Sequence, residues 1–373
     1  MTPNSRPRGG LRLWPVGTVL VLTFITATAV AGMVFFAGWD LLGARSLRPE
    51  RQLTSSTLFD LVKLAFGVVA GAGALVALVV AYRRQRVDED GALREATRLH
   101  TERFTTAVSQ LGEESAAIRL GGVHALAGLA DDAPTRALRQ TCIDVLCAYL
   151  RLPYTAETDL PQNDSAAHHA YLSAREVRHT VIRLIRDHLR PGIGHPDSWH
   201  GHDFDFTNAV FDGGDFTHAA FSGGTFNFAG ARFSGGVFFT HAKFNGGNLF
   251  FTGAEFTNSS PLFVEADFSG GEVDFSGAKF THCPLFFVNA NFRGGSVDFT
   301  EAKLSECQLH FNAATFTDGL INFAGAQFDR VTINVDGARF EEGTIDFRTT
   351  RGAPPAGLRL PPPTGLLLPA EWT

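Results

Sequence analysis

The chain has 373 residues, is 45% hydrophobic and 19% charged, and carries a formal net charge of −6 with four cysteines. That length supplies more than one domain. Cys142, Cys147, Cys283 and Cys307 lack metal-ligand spacing, and the chain has no phosphate loop, nucleophile elbow, zinc-protease motif or dinucleotide fingerprint, so no common catalytic class has a residue constellation behind it.

Residues 1–12 read as a cytoplasmic N-terminus, and 13–82 as two transmembrane helices with a short loop. Leu13 to Gly38 and Leu64 to Tyr82 are uncharged, and each exceeds the ~18 residues that a span requires. Ala29-Val-Ala31 also mimics a signal-peptide cleavage site, but the apolar run continues past it. The tight cluster Arg83, Arg84 and Arg86 follows the second stretch. It predicts a multi-pass protein of the cell (inner) membrane with both ends in the cytoplasm. Gly67-Val-Val-Ala-Gly71 is a small-xxx-small face that suits packing against the first span or self-association with a second copy. A pore would have only Asp60 and Lys63 at its rim for ion chemistry.

Residues 83–192 change to helical periodicity and predict a juxtamembrane helical domain. Asp88 to Leu111 carries Leu93, Ala96, Leu99, Phe104, Ala107, Val108 and Leu111 as its apolar stripe. Helices over Ala116 to Ala130 and Thr135 to Leu152 come next, broken at Asp131-Asp132-Ala-Pro134, and Ala166 to Leu189 makes another. The string Arg119-Leu-Gly-Gly-Val-His-Ala-Leu-Ala-Gly-Leu resembles a helix of HEAT-like pairs. Cys142 and Cys147 fall on different sides of their helix. His195, His200, His202 and Asp203 then cluster in spacing that would suit metal ligands. The plainer reading is a polar linker whose Trp199 packs over the start of the C-terminal domain.

From residue 193 to 348 a repeat takes over. Phe206, Phe211, Phe216, Phe221 and Phe226 are five apart, and from Phe244 the interval becomes twelve, through Phe256, Phe268, Phe280, Phe292, Leu304, Phe316, Phe328 and Phe340. A second series of twelves runs from Phe239 to Phe347, and alanines such as Ala254, Ala266 and Ala278 sit two before the first series. Neither helix nor plain strand makes this pattern; a solenoid does. Glycine returns every 24 residues, at Gly247, Gly271, Gly295, Gly319 and Gly343, with Ser259, Cys283, Cys307 and Val331 between. This predicts coils of about 24 residues with two long and two short faces, about six of them in a rod roughly 30 Å long; twelve-residue coils are the rival. Gly-Gly pairs such as Gly270-Gly271 suit corners with positive φ. The equivalent Cys283 and Cys307 predict packed thiols rather than a disulfide.

A small residue two before a large one, repeated every five, resembles the pentapeptide-repeat family, with later units carrying a two-residue insertion on alternate faces. The resemblance implies a right-handed quadrilateral β-helix, so the whole chain is α + β: a two-helix transmembrane hairpin, a short helical domain and the solenoid. The tail, 349–373, is Pro-rich but ends Leu366-Leu-Leu-Pro-Ala-Glu-Trp372, which suits a cap over the open end, with a disordered tail as the rival.

An interior of phenylalanine leaves function to outward residues, expected to be short and polar, such as the column Lys243, Asp267, Asn291, Thr315 and Arg339. The expected function is a membrane-tethered, non-enzymatic scaffold binding a protein partner, with no catalytic, cofactor-binding or metal residues and no cofactor. Some pentapeptide-repeat proteins imitate a nucleic-acid duplex, so the alternative is a DNA-mimic modulator of a type II topoisomerase. Residues 203–348 carry 18 acidic against 8 basic side chains, a balance that repels DNA itself.

Overall fold

The computed structural model describes residues 55–373 except 162, 163, 191, 193, 194, 359 and 360, together with 21, 22, 24–26, 28, 29, 32, 33, 36, 37 and 40. Residues 1–12, Val30 and Ala31 of the cleavage-like site and much of the stretch 13–38 therefore lie outside the described residues.

Helix α1, Ser55–Leu111, is 57 residues long and contains the second apolar stretch. It is the one helix among the described residues long and apolar enough to cross a membrane. Leu64, Phe66, Val69, Leu78 and Val80 are all exposed along it. Gly67 and Gly71 have open space where a side chain would stand. No Pro interrupts the run, and Ala-, Arg-, Glu- and Leu-rich sequence carries the helix straight on past Tyr82.

The C-terminal turns of α1 pack with α2 (Ala116–Asp131), α3 (Arg136–Arg151) and α4 (Ser165–Leu189). The buried stripe of α1 differs from the sequence expectation. His100, Ala107 and Leu111 are buried with Phe104 packed beside them, whereas Leu93, Leu99 and Val108 are exposed. Backbone proximity selects that face: a Cβ on Gly122 of α2 would lie 2.7 Å from the Leu111 nitrogen and 2.8 Å from the Ala107 oxygen. Thr135 and Asp164 cap α3 and α4, accepting from the amides of Leu138 and Ala167 at 3.3 and 2.9 Å. Cys142 and Cys147 both end in this core as free thiols.

The repeat forms a parallel β-solenoid with four faces, opened by Phe204–Asp205, Val210–Phe211, Gly214–Asp215 and Ala220–Phe221. Their sheets hold eight, seven, six and six strands. Pairing steps by 24 residues through most of the stack, as in Glu255↔Lys279 and Phe268↔Phe292. The first coil is shorter, with Phe204 opposite Phe226 on the first face and Phe221 opposite Phe244 on the fourth. The twelve-residue coil is excluded. Eight strands make seven steps rather than about six coils, for a height of about 34 Å.

Each coil stacks its inward side chains on those of the next in columns. Phe256 lies over Phe280 with centroids 4.7 Å apart, and Phe292 over Phe316 at 4.6 Å with rings 1° from parallel. Full burial of each ring contributes on the order of 2–3 kcal/mol. The inward alanines close β-turns, for example Ala209 N–H to the Phe206 carbonyl at 3.0 Å. Glycine recurs at alternate corners because a Cβ on Gly319 would lie 2.5 Å from Phe292 Cβ. The opposite corner has room for thiols. Cys283 donates to the Ser259 carbonyl at 2.9 Å and Cys307 to that of Ser305 at 3.3 Å, both free, with burial pushing both thiols up.

Both ends of the stack are closed. Below the first coil, Arg178 of α4 donates to the Val210 carbonyl at 2.5 Å, Arg190 to Thr217 at 3.0 Å and Gln140 of α3 to Asp203 at 2.7 Å. These donors satisfy edge carbonyls that the next strand would otherwise take. At the far end, Leu366–Leu367 adds the eighth strand of the first face beside Thr344–Asp346. Trp372 is buried against Phe328 and Phe347, with its indole N–H on the Gly352 carbonyl at 3.2 Å.

Candidate binding face

Three of the four faces present mainly polar side chains outward. On the fourth face, Lys243, Asp267, Asn291, Thr315 and Arg339 stand in register, the column expected from sequence. The second presents Arg232, Glu255, Lys279, Lys303 and Gln327. Glu255 pairs with Lys279 one coil on, at 2.8 Å. On the first, Asp274, Asp298 and Asp346 accept from the amides of Ser276, Thr300 and Arg348, so these acids close turns.

The third face departs from the expectation of short polar residues. Its outward column reads Asp215, Phe238, Leu262, Phe286, His310, Asn334. Val264 and Val288 stand at the adjoining corner, partly exposed, and stack through the His241 and Glu265 amides. Phe238 is 39% exposed. Phe286 stacks on His310 with centroids 4.7 Å apart. The patch therefore runs through three consecutive coils, since Phe238, Leu262 and Phe286 are paired neighbours. Such a contiguous apolar strip rimmed by polar groups is a candidate interaction surface.

The rims are charged. On one side His241 meets Glu265 at 3.3 Å, with His218 stacked over His241 at 4.7 Å. On the other, Glu306 receives His282 at 2.6 Å and also Arg330. These turn residues have positive φ, between 49° and 63° across Asn258, His282, His241 and His218. That geometry turns their side chains away from the inward stack.

At the N-terminal end of the strip, a groove of about 470 Å³ opens beside Phe238, lined by Arg175, His179, Arg183 and Arg186 of α4. Its floor is anchored by Asp212, whose side chain is 8% exposed. The carboxylate accepts from Tyr154 at 2.6 Å, Tyr171 at 2.9 Å and His179 at 3.1 Å. Burial works to raise its pKa, but hydrogen bonds from His179, Tyr154 and Tyr171 outweigh it and hold the carboxyl well below the usual range. Arg186 pairs with Asp215. Arg183 stays exposed at the groove.

The histidine-rich linker does not gather as metal ligands. His202 is buried with Nδ1 on the Trp199 carbonyl, and Asp203 accepts from the Thr225 amide at 2.9 Å. Among the described residues no group of three or more His, Cys, Asp or Glu is placed to hold a metal. Trp199 packs against the helical layer, stacked on His188 at 4.1 Å with its indole N–H on Asp131 at 2.9 Å.

Phe238, Leu262 and Phe286 were missed at the sequence level, yet the doublets Phe238-Phe239 and Phe286-Phe287 carried the signal. One ring of each doublet must leave the interior, because neighbours in a strand point to opposite faces. Fold and face together define a capped, Phe-filled parallel β-solenoid with one apolar side. No protein family, curated protein or solved structure matches the chain.

Proposed function

We propose that this chain is a membrane-tethered, non-enzymatic scaffold of the pentapeptide-repeat type, a right-handed quadrilateral solenoid that binds a protein partner through its third face. The observation that carries the reading is the outward strip Phe238–Leu262–Phe286, apolar where the other faces are mainly polar. A rigid, preformed surface loses little conformational entropy on binding. The partner is a segment with apolar side chains for the strip and carboxylates for Arg183 and its neighbours at the groove. The apolar half of α1 supports the tether, and the Arg83, Arg84 and Arg86 cluster supports a cytoplasmic solenoid with the first stretch as a second span. Gly67 and Gly71 offer a face for self-association within the membrane.

The test is crosslinking from the native membrane with wild type and with a Phe238→Asp/Phe286→Asp double variant. Loss of a crosslinked protein from the variant, at unchanged melting temperature, supports the reading. An identical set of crosslinked proteins in both overturns it. Duplex mimicry rests on the acidic excess, much of which is drawn into turns and ion pairs such as Arg293–Asp267 and Lys279–Glu255. Salt-sensitive inhibition of DNA supercoiling by the full chain would favour it instead.

A further inference from the structure

A second pocket, independent of the scaffold reading, lies where α3 begins, against the loop that leads into the first coil. Its volume is about 390 Å³, and its walls include Thr135, Arg136, Arg139, His195, His200 and His202. Among the described residues, its lining holds two arginines and three histidines and no carboxylate. The two arginines have no carboxylate partner in this lining, and their positive charge calls for an anion.

Three independent features point the same way. α3 is 16 residues long, so the dipole at its start favours an anion there. Arg136 is exposed and donates one amino group to the Gly201 carbonyl, leaving Nε and its other amino nitrogen without an acceptor among the described residues. Arg139 spends its nitrogens on the carbonyls of Ala130, Asp131, Pro196 and Ser198, so it contributes charge rather than a free donor.

His202 supplies the third feature. It is only 4% exposed, and its Nε2 is a buried polar atom without a partner. Its Nδ1 stands 3.3 Å from the Trp199 carbonyl. A carbonyl only accepts, so Nδ1 holds the hydrogen, and the buried Nε2 is left without a partner in a residue that lines the pocket. A buried polar atom in this state is costly unless a ligand completes it.

We infer that this pocket binds a phosphate-type oxyanion, free or as the phosphoryl group of a phosphomonoester, held by Arg136 and the start of α3 and completed by protonation of His202. The volume exceeds what a lone tetrahedral oxyanion fills, leaving room for the ester. Burial, Arg136 beside it and Arg139 together hold the His202 pKa below its ordinary value. His195 and His200 face the same space, and Asp197 lies 3.9 Å from His195 Nδ1. An anion offsets the two arginines and gives Nε2–H an acceptor, so binding takes up a proton from solvent.

The experiment titrates the full-length protein in detergent with inorganic phosphate, glycerol phosphate and sulfate by calorimetry. One saturable site per chain is expected with phosphate or its ester, at a Kd below about 1 mM. Tighter binding of glycerol phosphate than of phosphate identifies the ester as the source, and the reverse order identifies the free ion. Sulfate keeps its charge, so its affinity isolates the protein's titration and should rise from about pH 8 to about pH 6. Arg136→Gln should weaken binding about tenfold while retaining the wild-type circular dichroism. No saturable binding by about 10 mM anion overturns the site. A pH-independent sulfate affinity in wild type overturns the role of His202, whatever the fate of the variant.

Discussion

Tyr154, in the loop after α3, donates its hydroxyl to Asp212 of the first coil at 2.6 Å, and this bond ties the helical layer to the solenoid. Tyr171 and His179 of α4 converge on the same carboxylate. Arg178 stacks over Tyr154 at 4.2 Å while serving the Val210 carbonyl, so the junction is one connected network. Removing its acceptor strands two phenols. Asp212→Ala should cost about 3 kcal/mol.

The same carboxylate sets a pH dependence. Its folded-state pKa lies below the unfolded value of about 4, so its contribution is complete above that pH and is lost as pH falls through the lowered folded value. Urea midpoints at about pH 7 and about pH 3 should separate more in wild type than in Asp212→Asn. Equal separations would show that Asp212 does not carry this linkage.

Phe280 is 1% exposed between Phe256 and the Phe275 and Phe299 rings. Phe280→Asp places an unpaired charge in that stack and should cost several kcal/mol, a large share of the ~5–15 available. Lys279→Ala, one residue away, removes only an exposed ion pair and should change stability by less than about 1 kcal/mol. Similar melting temperatures for the two variants would contradict the inward assignment of the ring.

Trp372 seals the last coil. Trp372→Ala should lower stability by about 3–5 kcal/mol, since the indole covers Phe328 and Phe347. Deleting residues 366–373 also bares the edge of Thr344–Asp346, and self-association should then appear in sedimentation velocity. A truncated chain that stays monomeric and melts like wild type would mean that the tail is not a cap.

Membrane retention should depend on residues 13–82. The full chain is expected to resist alkaline carbonate extraction, while a variant beginning near Val87 should be soluble and β-rich by circular dichroism. Release of the full chain by carbonate would remove the tether from the proposed function.

Much of this molecule was legible in sequence because a solenoid repeats one local problem. Each coil places a small residue at its crowded corners and a ring or an aliphatic side chain at its other inward positions, so Ala266, Phe268 and Gly271 recur at fixed intervals. Helix limits were similarly local: Thr135 and Asp164 cap α3 and α4 through nearest-neighbour bonds. Which stripe of α1 is buried was not local. It depends on how closely Gly122 lets the α2 backbone approach Leu111.

By itself, then, the sequence determined the Phe columns and the apolar half of α1, since periodicity and hydropathy are written one residue at a time, whereas the strand pairing decided for 24 residues per coil over twelve. The tertiary structure alone decided that Phe238, Leu262 and Phe286 form one strip, because residues 24 apart become neighbours only when coils stack. It alone gathered Arg136, His200 and His202 around one pocket and Tyr154, Tyr171 and His179 around Asp212. Arg136 lies on α3 while His200 and His202 share the linker, and Tyr154 follows α3 while Tyr171 and His179 lie on α4; how the helical layer closes the first coil brings these elements together.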